Sequence, residues 1–347
     1  MASYSYGNGN DRKQTVMEPK VSVIVCTYNH EDTVGAALDS ILAQRTDFDF
    51  EIVVSDDCSA DGTADIVRSY AARYPDRVRA IFNAENKGVA DNYFDTLYEC
   101  RGRYIADLAG DDVWTDTGKL ARQAALMDSD PSIVLCHGAW CFLHPDGSMS
   151  EPSGYAKPAS AGVVEAGEAV PLLLQHRRSE FFIHLCTSMY RRDTAIALTQ
   201  KYSEFFYGRD LPCEDLQLEV LMAANGRIAY DPAPVLAYRV GHDSVSSPVN
   251  MAKNAVFTAR IVALTLRLAD ELCADKSALA PYFDGAMTYA ASRALISGSA
   301  QAAAECSRTA SLLAPHRLPA KVRVALALMR SRFTHTVSRF AYKLIPR

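Results

Sequence analysis

The chain has 347 residues, enough to bury a substantial core and to form one large domain with an additional region. Charged residues make up 22% and hydrophobic residues 49%, the proportions of an ordinary globular protein. The formal net charge of -5 excludes the overall positive field with which many proteins bind nucleic acid, so we expect no nucleic-acid partner.

The first 19 residues are polar, contain Gly and Asn, and lack the apolar core of a secretory signal. We predict a flexible tail there. No apolar window approaches the roughly 20 residues that cross a bilayer as a helix, so a cytoplasmic protein is expected. The nine cysteines occur singly, with no CxxC pair, which favours reduced thiols over disulfides or a zinc site.

The first half of the chain alternates between strand and helix patterns. The run "VSVIVCT", residues 21–27, is apolar and β-branched, as in a strand buried on both faces of a parallel sheet. Further strands are predicted at 51–55, 78–83 and 104–108. Helices are predicted after Asp32 or Thr33 as a cap, over 61–74, and over 89–102 with an end at Gly102. This alternation predicts an α/β fold with a mostly parallel sheet flanked by helices.

The alternation loosens from about residue 130. Strands are predicted at 132–143 and 180–192, with a long loop rich in Pro, Gly and Ser between them. A helix that Gly226 ends and one more strand complete a domain over 20–248. After residue 250 the pattern changes to Ala- and Leu-rich helices, including a pair broken at 296–299, so 249–347 is predicted to be a separate helical C-terminal region.

Polar residues follow each of the first four predicted strands. Ligands of open parallel sheets bind at the carboxyl ends of the strands, so these residues form the candidate site. They are Thr27, Tyr28 and Asn29 after the first strand, Asp56 and Asp57 after the second, Asn86 and Lys87 after the third, and Asp111 and Asp112 after the fourth.

Several segments, in order and at suitable spacing over residues 19–247, resemble the family 2 inverting glycosyltransferases with the GT-A fold. They are "VSVIVCTYNHEDTVGAALDSILAQ", "EIVVSDDCSADGTADIV", "NKGVADNYFDTLYECRGRYIADLAGDDVW" followed by "KLARQ", "CEDLQLEV", and "YRVGHDSVS". The resemblance implies a GT-A, Rossmann-like domain. It also implies transfer of a sugar from a nucleoside-diphosphate sugar, expected to be a UDP-sugar, to an acceptor hydroxyl in bacterial surface polysaccharide or glycoconjugate synthesis.

The residues themselves leave alternatives open for the nucleotide pocket. Asp56 and Asp57 suit hydrogen bonds from ribose or base, but aspartates after a strand also cap the next helix. The resemblance implies the nucleotide role, with Asp56 preferred. It further implies that Thr27, Tyr28 and Asn29 form the opposite wall, and that Asn86 and Lys87 lie in the donor loop with Lys87 as a phosphate partner. A dinucleotide-dependent oxidoreductase is excluded because "CTYNHEDT" lacks the GxGxxG glycines.

The acidic pair suggests a divalent metal. Mn²⁺ or Mg²⁺ neutralises a leaving diphosphate and needs few protein carboxylates. Laid over "LAGDD", the related Asp-x-Asp pattern has Ala109 in place of its first acid. The resemblance implies Asp111 as the metal ligand, with weaker support for Asp112, His242 as a third ligand, and Arg239 as a phosphate partner. The alternatives are a capped turn without metal, a metal-independent enzyme, and an inactive nucleotide-sugar-binding scaffold.

The pair Glu214 and Asp215 precedes a predicted helix. An inverting transfer needs a base that takes the proton from the acceptor hydroxyl, and a carboxylate suits that role. The resemblance implies Asp215 as the base and Glu214 as an acceptor-binding residue or the alternative base. Acids are also favoured at a helix N-terminus by the dipole, which is compatible with catalysis.

Residues 321–347 contain seven Lys or Arg and no acid, with apolar residues at helical spacing. The pattern predicts a basic amphipathic helix that either contacts an anionic membrane surface peripherally or packs on the catalytic domain. Membrane contact would suit a lipid-linked glycan acceptor at the inner face of the plasma membrane, whereas a carbohydrate acceptor needs no such contact. The sequence does not indicate an oligomeric state.

Overall fold

The structure, a computed structural model, describes residues 18–156, 158, 160–241, 250–313 and 318–330. Its strands are β1 (Val21–Thr27), β2 (Phe50–Asp56), β3 (Val78–Phe82), β4 (Tyr104–Asp107), β5 (Val113–Trp114), β6 (Ile133–Leu143), β7 (Met149–Ser150), β8 (Gly162–Val164), β9 (Met189–Arg191) and β10 (Arg227–Arg239). Its helices are α1 (Val34–Leu42), α2 (Thr63–Arg73), α3 (Val89–Glu99), α4 (Lys119–Ser129), α5 (Val170–Leu174), α6 (Arg192–Lys201), α7 (Ser203–Phe206), α8 (Asp215–Asn225), α9 (Met251–Glu271), α10 (Ala280–Ser297), α11 (Ala300–Leu312) and α12 (Ala320–Arg330).

The strands form one sheet with the order β3-β2-β1-β4-β9-β6-β10-β5. β1 is parallel to β2 and β4, and β2 is parallel to β3, whereas β9 runs antiparallel to both β4 and β6. The predicted α/β fold with a mostly parallel sheet and a helical C-terminal region is confirmed. Since the order reverses between β1 and β4, the carboxyl ends of these two strands mark the switch point where ligands of such sheets bind.

Alternate side chains of the central strands supply two hydrophobic cores, one on each face of the sheet. In β1, Ile24 contributes to one core, whereas Val23 and Val25 contribute to the other. The core that holds Ile24 also takes apolar residues of α3, α5 to α8 and the C-terminal helices α9 to α12. The helices after residue 250 therefore extend a core that begins in the α/β part of the chain.

Two element boundaries differ from the sequence prediction. α3 ends at Glu99 because Cys100 is already extended, with ψ 142°. Gly102 instead allows the chain to pass close to β1, since a Cβ at this position would lie 2.4 Å from the backbone nitrogen of Ser22.

The predicted strand 180–192 is also shorter in the structure. Only Met189–Arg191 is a strand, preceded by the 3₁₀ turn Leu185–Thr187. The backbone carbonyls just before β9 accept hydrogen bonds from side chains. The Trp114 indole donates to the Cys186 carbonyl at 2.9 Å, and the Gln123 amide donates to the Thr187 carbonyl at 2.9 Å. These bonds replace a sheet ladder.

The helical pair broken near residues 296–299 is confirmed, with Gly298 as a left-handed C-cap at φ 69°. Residues 320–330 form α12, and the rest of the predicted basic terminal helix lies outside the described residues. In the part of the chain that the structure describes, no helix is long and apolar enough to cross a membrane. All nine cysteines are free thiols, and only Cys58 and Cys273 are exposed.

Candidate active site

The turn after β4 lies directly against the end of β1. A Cβ on Gly110 would lie 2.7 Å from both the Thr27 hydroxyl and Nδ1 of His30, so glycine allows this approach. The hydroxyl of Thr33 donates to the Gly110 carbonyl at 2.9 Å. The acidic turn is therefore fixed to the β1 loop at the switch point.

The two aspartates of this turn have different environments. Asp112 is buried, and its Oδ1 accepts from the backbone N–H of Arg239 at 2.9 Å. Burial and the neighbouring Asp111 raise the pKa of Asp112 well above its usual value. Asp111 keeps 17% of its side chain exposed, with Oδ2 4.0 Å from Nε2 of His30. Nε of Arg239 donates to the Asp111 carbonyl at 2.9 Å, which completes the turn.

The acids after β2 organise loops. Asp57 accepts from the backbone N–H groups of Lys87 at 2.9 Å and Gly88 at 3.0 Å, and from the Asn83 amide at 2.9 Å. Asp56 is buried and accepts from the N–H of Ser59 at 3.1 Å. Asp57 thus holds the 83–88 loop, and Asp56 shapes the turn beside it.

The remaining nucleotide candidates lie around these loops. Tyr28 is 47% exposed, and Asn29 adopts φ 56°, with its side-chain oxygen accepting from the backbone of Ala60. The Asn86 amide donates to the Asp57 carbonyl at 3.1 Å. Lys87 pairs with Asp95 of α3 at 2.7 Å. The structure thus gathers the candidates around one edge of the sheet, with the ammonium group of Lys87 engaged by a carboxylate.

Three acids lie along the first turns of α8. Asp215 is its first residue, and its Oδ1 accepts from the N–H of Leu216 at 2.7 Å. Burial, the charge of Asp215 and, more weakly, that of Asp111 raise the pKa of Glu214 to about 8. Glu219, four residues beyond Asp215, is buried, and its Oε1 lacks a hydrogen-bond partner among the described residues. Burial and Asp215 raise the pKa of Glu219 well above its usual value.

Sequence reasoning did not identify a buried polar group beneath the site. The Tyr93 hydroxyl donates to Asp107 of β4 at 2.6 Å and lies 2.6 Å from the Tyr190 hydroxyl. Burial raises the pKa of Asp107 to about 7 and lowers that of the buried Lys119 to about 7. The sequence does contain signs of this buried polar group. Asp107 interrupts an apolar strand pattern, and Lys119 and Gln123 in "KLARQ" have the i, i+4 spacing of side chains on one helix face.

An aromatic cluster is formed by rings of β6, β10 and the segments between β7 and β9. It consists of Trp140, Phe142, Tyr155, Phe182, His184 and Tyr238, whose ring centroids are 4.6–6.3 Å apart. The exposed guanidinium of Arg178 lies 5.8 Å from the Tyr155 ring and 5.7 Å from the Phe182 ring. Burial lowers the pKa of His184 to about 4. Trp114 is a buried core residue, and Nζ of Lys119 lies 4.2 Å from the centre of its ring.

Few side chains of the site are placed to bind a metal ion. Among the described residues, no group of three or more His, Cys, Asp or Glu is arranged to hold an ion. Asp111 directs a partly exposed carboxylate toward the edge with an imidazole 4.0 Å away, whereas Asp112 faces the protein interior. His242 lies outside the described residues. Asp111 therefore fits a divalent ion whose other ligands come from phosphate and water.

Comparisons with known proteins extend this description. The family model "Glycosyl transferase family 2" matches residues 22–197. An uncharacterized protein of Mycobacterium tuberculosis is 31% identical over 226 residues, covering 63% of this chain and 58% of that protein. The chain thus spans less than two thirds of the length of such relatives. An Escherichia coli UDP-Glc:alpha-D-GlcNAc-diphosphoundecaprenol beta-1,3-glucosyltransferase is 37% identical over 110 residues, 32% of this chain and 42% of that protein.

Two solved structures share the fold. The S. aureus TarS fragment 1–349 in complex with UDP-GlcNAc aligns with a TM-score of 0.54 and 18% identity, covering 91% of this chain and 92% of that one. A mannosyltransferase from Pyrobaculum calidifontis in complex with GDP-Man and Mn²⁺ aligns with a TM-score of 0.53 and 19% identity, covering 93% and 87%. The likeness to these two structures shows that the chain has the GT-A fold.

Proposed function

Because the chain belongs to glycosyltransferase family 2, we propose that it transfers a sugar from a nucleoside-diphosphate sugar to an acceptor hydroxyl with inversion at the anomeric carbon. The observation that carries this proposal is the convergence of acids at one sheet edge. Asp111 follows β4, Glu214 and Asp215 begin α8, and the charge of Asp111 contributes to the raised pKa of Glu214. Such crowding is common where groups are arranged for acid–base chemistry.

The proposed reaction is a single displacement. Asp215 takes the proton from the acceptor hydroxyl as that oxygen bonds to the anomeric carbon, and the diphosphate leaves from the opposite face with the electrons of the broken bond. Burial and the charge of Asp215 raise the pKa of Glu214, which favours its protonated form. In that form Glu214 donates a hydrogen bond to the acceptor, and Asp215 is the proposed base.

The donor is proposed to bind across the β1 and β2 loops. Thr27, Tyr28 and Asn29 form one wall, and Asp56 accepts from the nucleotide on the other, while Asp57 holds Asn86 and Lys87 in place. Lys87 would exchange Asp95 for a phosphate oxygen on binding. A UDP-sugar is the proposed donor, since S. aureus TarS binds UDP-GlcNAc on the same fold and the Escherichia coli relative is named for UDP-Glc.

Asp111 is the proposed protein ligand of Mn²⁺ or Mg²⁺, which would neutralise the charge of the leaving diphosphate. The mannosyltransferase structure with GDP-Man and Mn²⁺ supports a divalent ion. Asp112 would act by fixing the backbone of Arg239, which places that guanidinium at the turn where phosphate would lie. His242 remains a predicted third ligand.

The proposed acceptor is a carbohydrate or lipid-linked glycan in bacterial surface polysaccharide or glycoconjugate synthesis. The name of the Escherichia coli relative, which specifies a GlcNAc-diphosphoundecaprenol acceptor, supports this class. The aromatic cluster offers ring faces for a sugar, and the exposed Arg178 beside it offers a cation for a phosphate. A cytoplasmic protein at the inner face of the plasma membrane would suit that acceptor.

The rival function is a scaffold that binds nucleotide sugars without turning them over, which Ala109 allows. The deciding assay measures hydrolysis and transfer of a panel of UDP-sugars with Mn²⁺, for the parent and for Asp215→Asn. The enzyme hypothesis predicts that the parent turns over a UDP-sugar and that Asp215→Asn lowers the rate of turnover by about a thousandfold while it still binds the nucleotide. Nucleotide binding without turnover by the parent with any donor would establish the scaffold.

A further inference from the structure

A short segment connects three parts of the molecule just before the proposed base. This strap, residues 208–211, lies between α7 and α8 and precedes Glu214 by three residues. Its turn is closed by the N–H of Leu211 donating to the Gly208 carbonyl at 2.9 Å. Gly208 adopts φ 142°, and its N–H donates to Asp91 of α3 at 2.8 Å. One end of the strap is thus fixed to the α/β part of the fold.

The strap also contacts the donor side. Nη2 of Arg209 lies 3.3 Å from Oε1 of Glu85, in the 83–88 loop that Asp57 holds. Both side chains are mostly exposed, so this ion pair contributes little to stability. It nevertheless places the strap next to the loop assigned to the nucleotide.

The helical C-terminal region holds the other side of the strap. Nη2 of Arg260 in α9 lies 2.5 Å from Oδ1 of Asp210, and its Nη1 donates to the Arg209 carbonyl at 3.4 Å. Arg308 of α11 lies 3.7 Å from Oδ2 of Asp210. Behind them the buried Glu305 lies 3.6 Å from Nε of Arg260 and 3.5 Å from Nη2 of Arg308. Two arginines and two acids therefore form an ion-pair network between the strap and the helices α9 and α11.

Arg260 is well suited to fix the path of the strap. It is only 21% exposed, and it contacts a side chain and a backbone carbonyl of the strap, while the Glu305 carboxylate lies 3.6 Å from its Nε on the other side. A guanidinium in such a fork fixes geometry better than a flexible ammonium group. The strap ends three residues before Glu214, at the entry to α8.

We propose that Arg260 is a positioning residue, which fixes the strap and thereby aims Asp215 at the acceptor hydroxyl. This inference rests on the proposed role of Asp215 as base. It gives the helical C-terminal region, which lies beyond the residues matched by the family model, a part in the transfer step. Small displacements of a reacting group cost large factors in rate, so the effect belongs in kcat.

The test compares Arg260→Ala with Arg267→Ala as a matched control. Arg267 lies on the same helix, contacts the Glu204 carbonyl at 2.9 Å and covers the Phe205 ring, and does not touch the strap. The measurements are kcat for transfer, the Kd of UDP with Mn²⁺ by calorimetry, and amide hydrogen exchange of residues 207–214. Arg260→Lys serves as the conservative variant.

We expect Arg260→Ala to lower kcat by about tenfold, to leave the Kd of UDP within about twofold, and to speed exchange in 207–214. Arg267→Ala should change none of these, and Arg260→Lys should restore part of kcat. A kcat that falls equally in both alanine variants, or unchanged exchange in 207–214, overturns the inference. A parent that transfers no sugar would refute the proposed function instead, while the exchange measurement still decides whether Arg260 fixes the strap.

Discussion

Glu51 in β2 and the acids of α8, which lie on opposite sides of the fold, have opposite environments. At the amino end of the parallel strands, Glu51 of β2 accepts from the Ser22 hydroxyl at 2.7 Å, from the Arg101 backbone at 2.8 Å, and from the guanidinium groups of Arg101 and Arg79. Although burial opposes it, these partners lower the pKa of Glu51. At the carboxyl end, burial and neighbouring acids raise the pKa of Glu214 and Glu219.

This difference separates stability from function. An acid with complete partners stabilises the fold, whereas buried acids next to one another cost free energy that only another role of the site explains. Changes at the amino end should therefore lower stability and preserve turnover per folded molecule. Changes at the carboxyl end should instead lower turnover per folded molecule and preserve or raise stability.

The largest expected effect is at Asp111. Asp111→Ala should lower metal-dependent transfer by about a thousandfold, since it removes the proposed ligand of the ion that neutralises the diphosphate. Asp112→Asn is the control, because its amide oxygen can still accept from the Arg239 N–H, and it should keep activity within about tenfold. Initial rates over a Mn²⁺ titration measure both. Full activity in Asp111→Ala would refute the metal assignment.

The next effect is on stability at the amino end. Glu51→Gln should lower the free energy of unfolding by about 3 kcal/mol, because an amide cannot satisfy two guanidinium groups, a hydroxyl and a backbone N–H. Urea denaturation at pH 7 measures this. Glu99→Gln, which alters a mostly exposed partner of Arg79, should change stability by less than about 0.5 kcal/mol. Equal losses in both variants would contradict the comparison.

The same contrast predicts opposite pH dependences. The stabilisation by Glu51 is present above its unfolded pKa of 4.5 and is lost as pH falls through its lowered folded pKa. Asp107, whose folded pKa is about 7 against 3.8 when unfolded, destabilises the fold increasingly as pH rises from about 4 to about 7.

Asp107→Asn should therefore gain stability relative to the parent between pH 4.5 and pH 7.5, by on the order of 2 kcal/mol. The asparagine oxygen can still accept from Tyr93. Urea denaturation at the two pH values measures the gain, with Asp47→Asn on the exposed α1–β2 loop as the control. A constant difference across this range would contradict the raised pKa of Asp107.

The smallest expected effect is on the pH profile of transfer. The raised pKa of Glu214 keeps it protonated to higher pH than an ordinary glutamate, so kcat/KM of the parent for the acceptor should fall by about tenfold in total as Glu214 loses its proton on the alkaline side, the worth of one hydrogen bond. Glu214→Gln keeps a neutral donor and should show no such fall. An identical alkaline limb in the parent and the variant would place the ionisation on another group.

Much of the fold was predictable because its causes are local. Strands buried on both faces leave uninterrupted apolar runs, and α1, α2 and α8 show helical spacing with recognisable ends. The 3₁₀ turn at Leu185–Thr187 was not predictable, because its backbone is held by Trp114 and Gln123 from distant elements. The end of α3 was misplaced because Gly102 is required by contact with β1 rather than by a helix cap.

The location of the candidate site was predictable to the sheet edge but not to the orientation of each side chain. Asp111 and Asp112 look equivalent in the sequence, yet the backbone of Arg239, more than 120 residues away, turns Asp112 inward. The raised pKa of Glu219 depends equally on burial that no local pattern reports. Long-range packing decides which acid of a motif stays partly exposed and which is buried.

The helices α9 to α12 share one hydrophobic core with α3 and α8, so the C-terminal region is not an independent module. A shortened protein ending before Met251 would expose apolar surface of α5 and α8, which contact α9, and would also lose Arg260. We therefore expect such a protein to be unstable on its own. Heating or denaturant should melt both parts of the chain together in one cooperative step, and homologues should exchange their C-terminal helices only along with the surface that receives them.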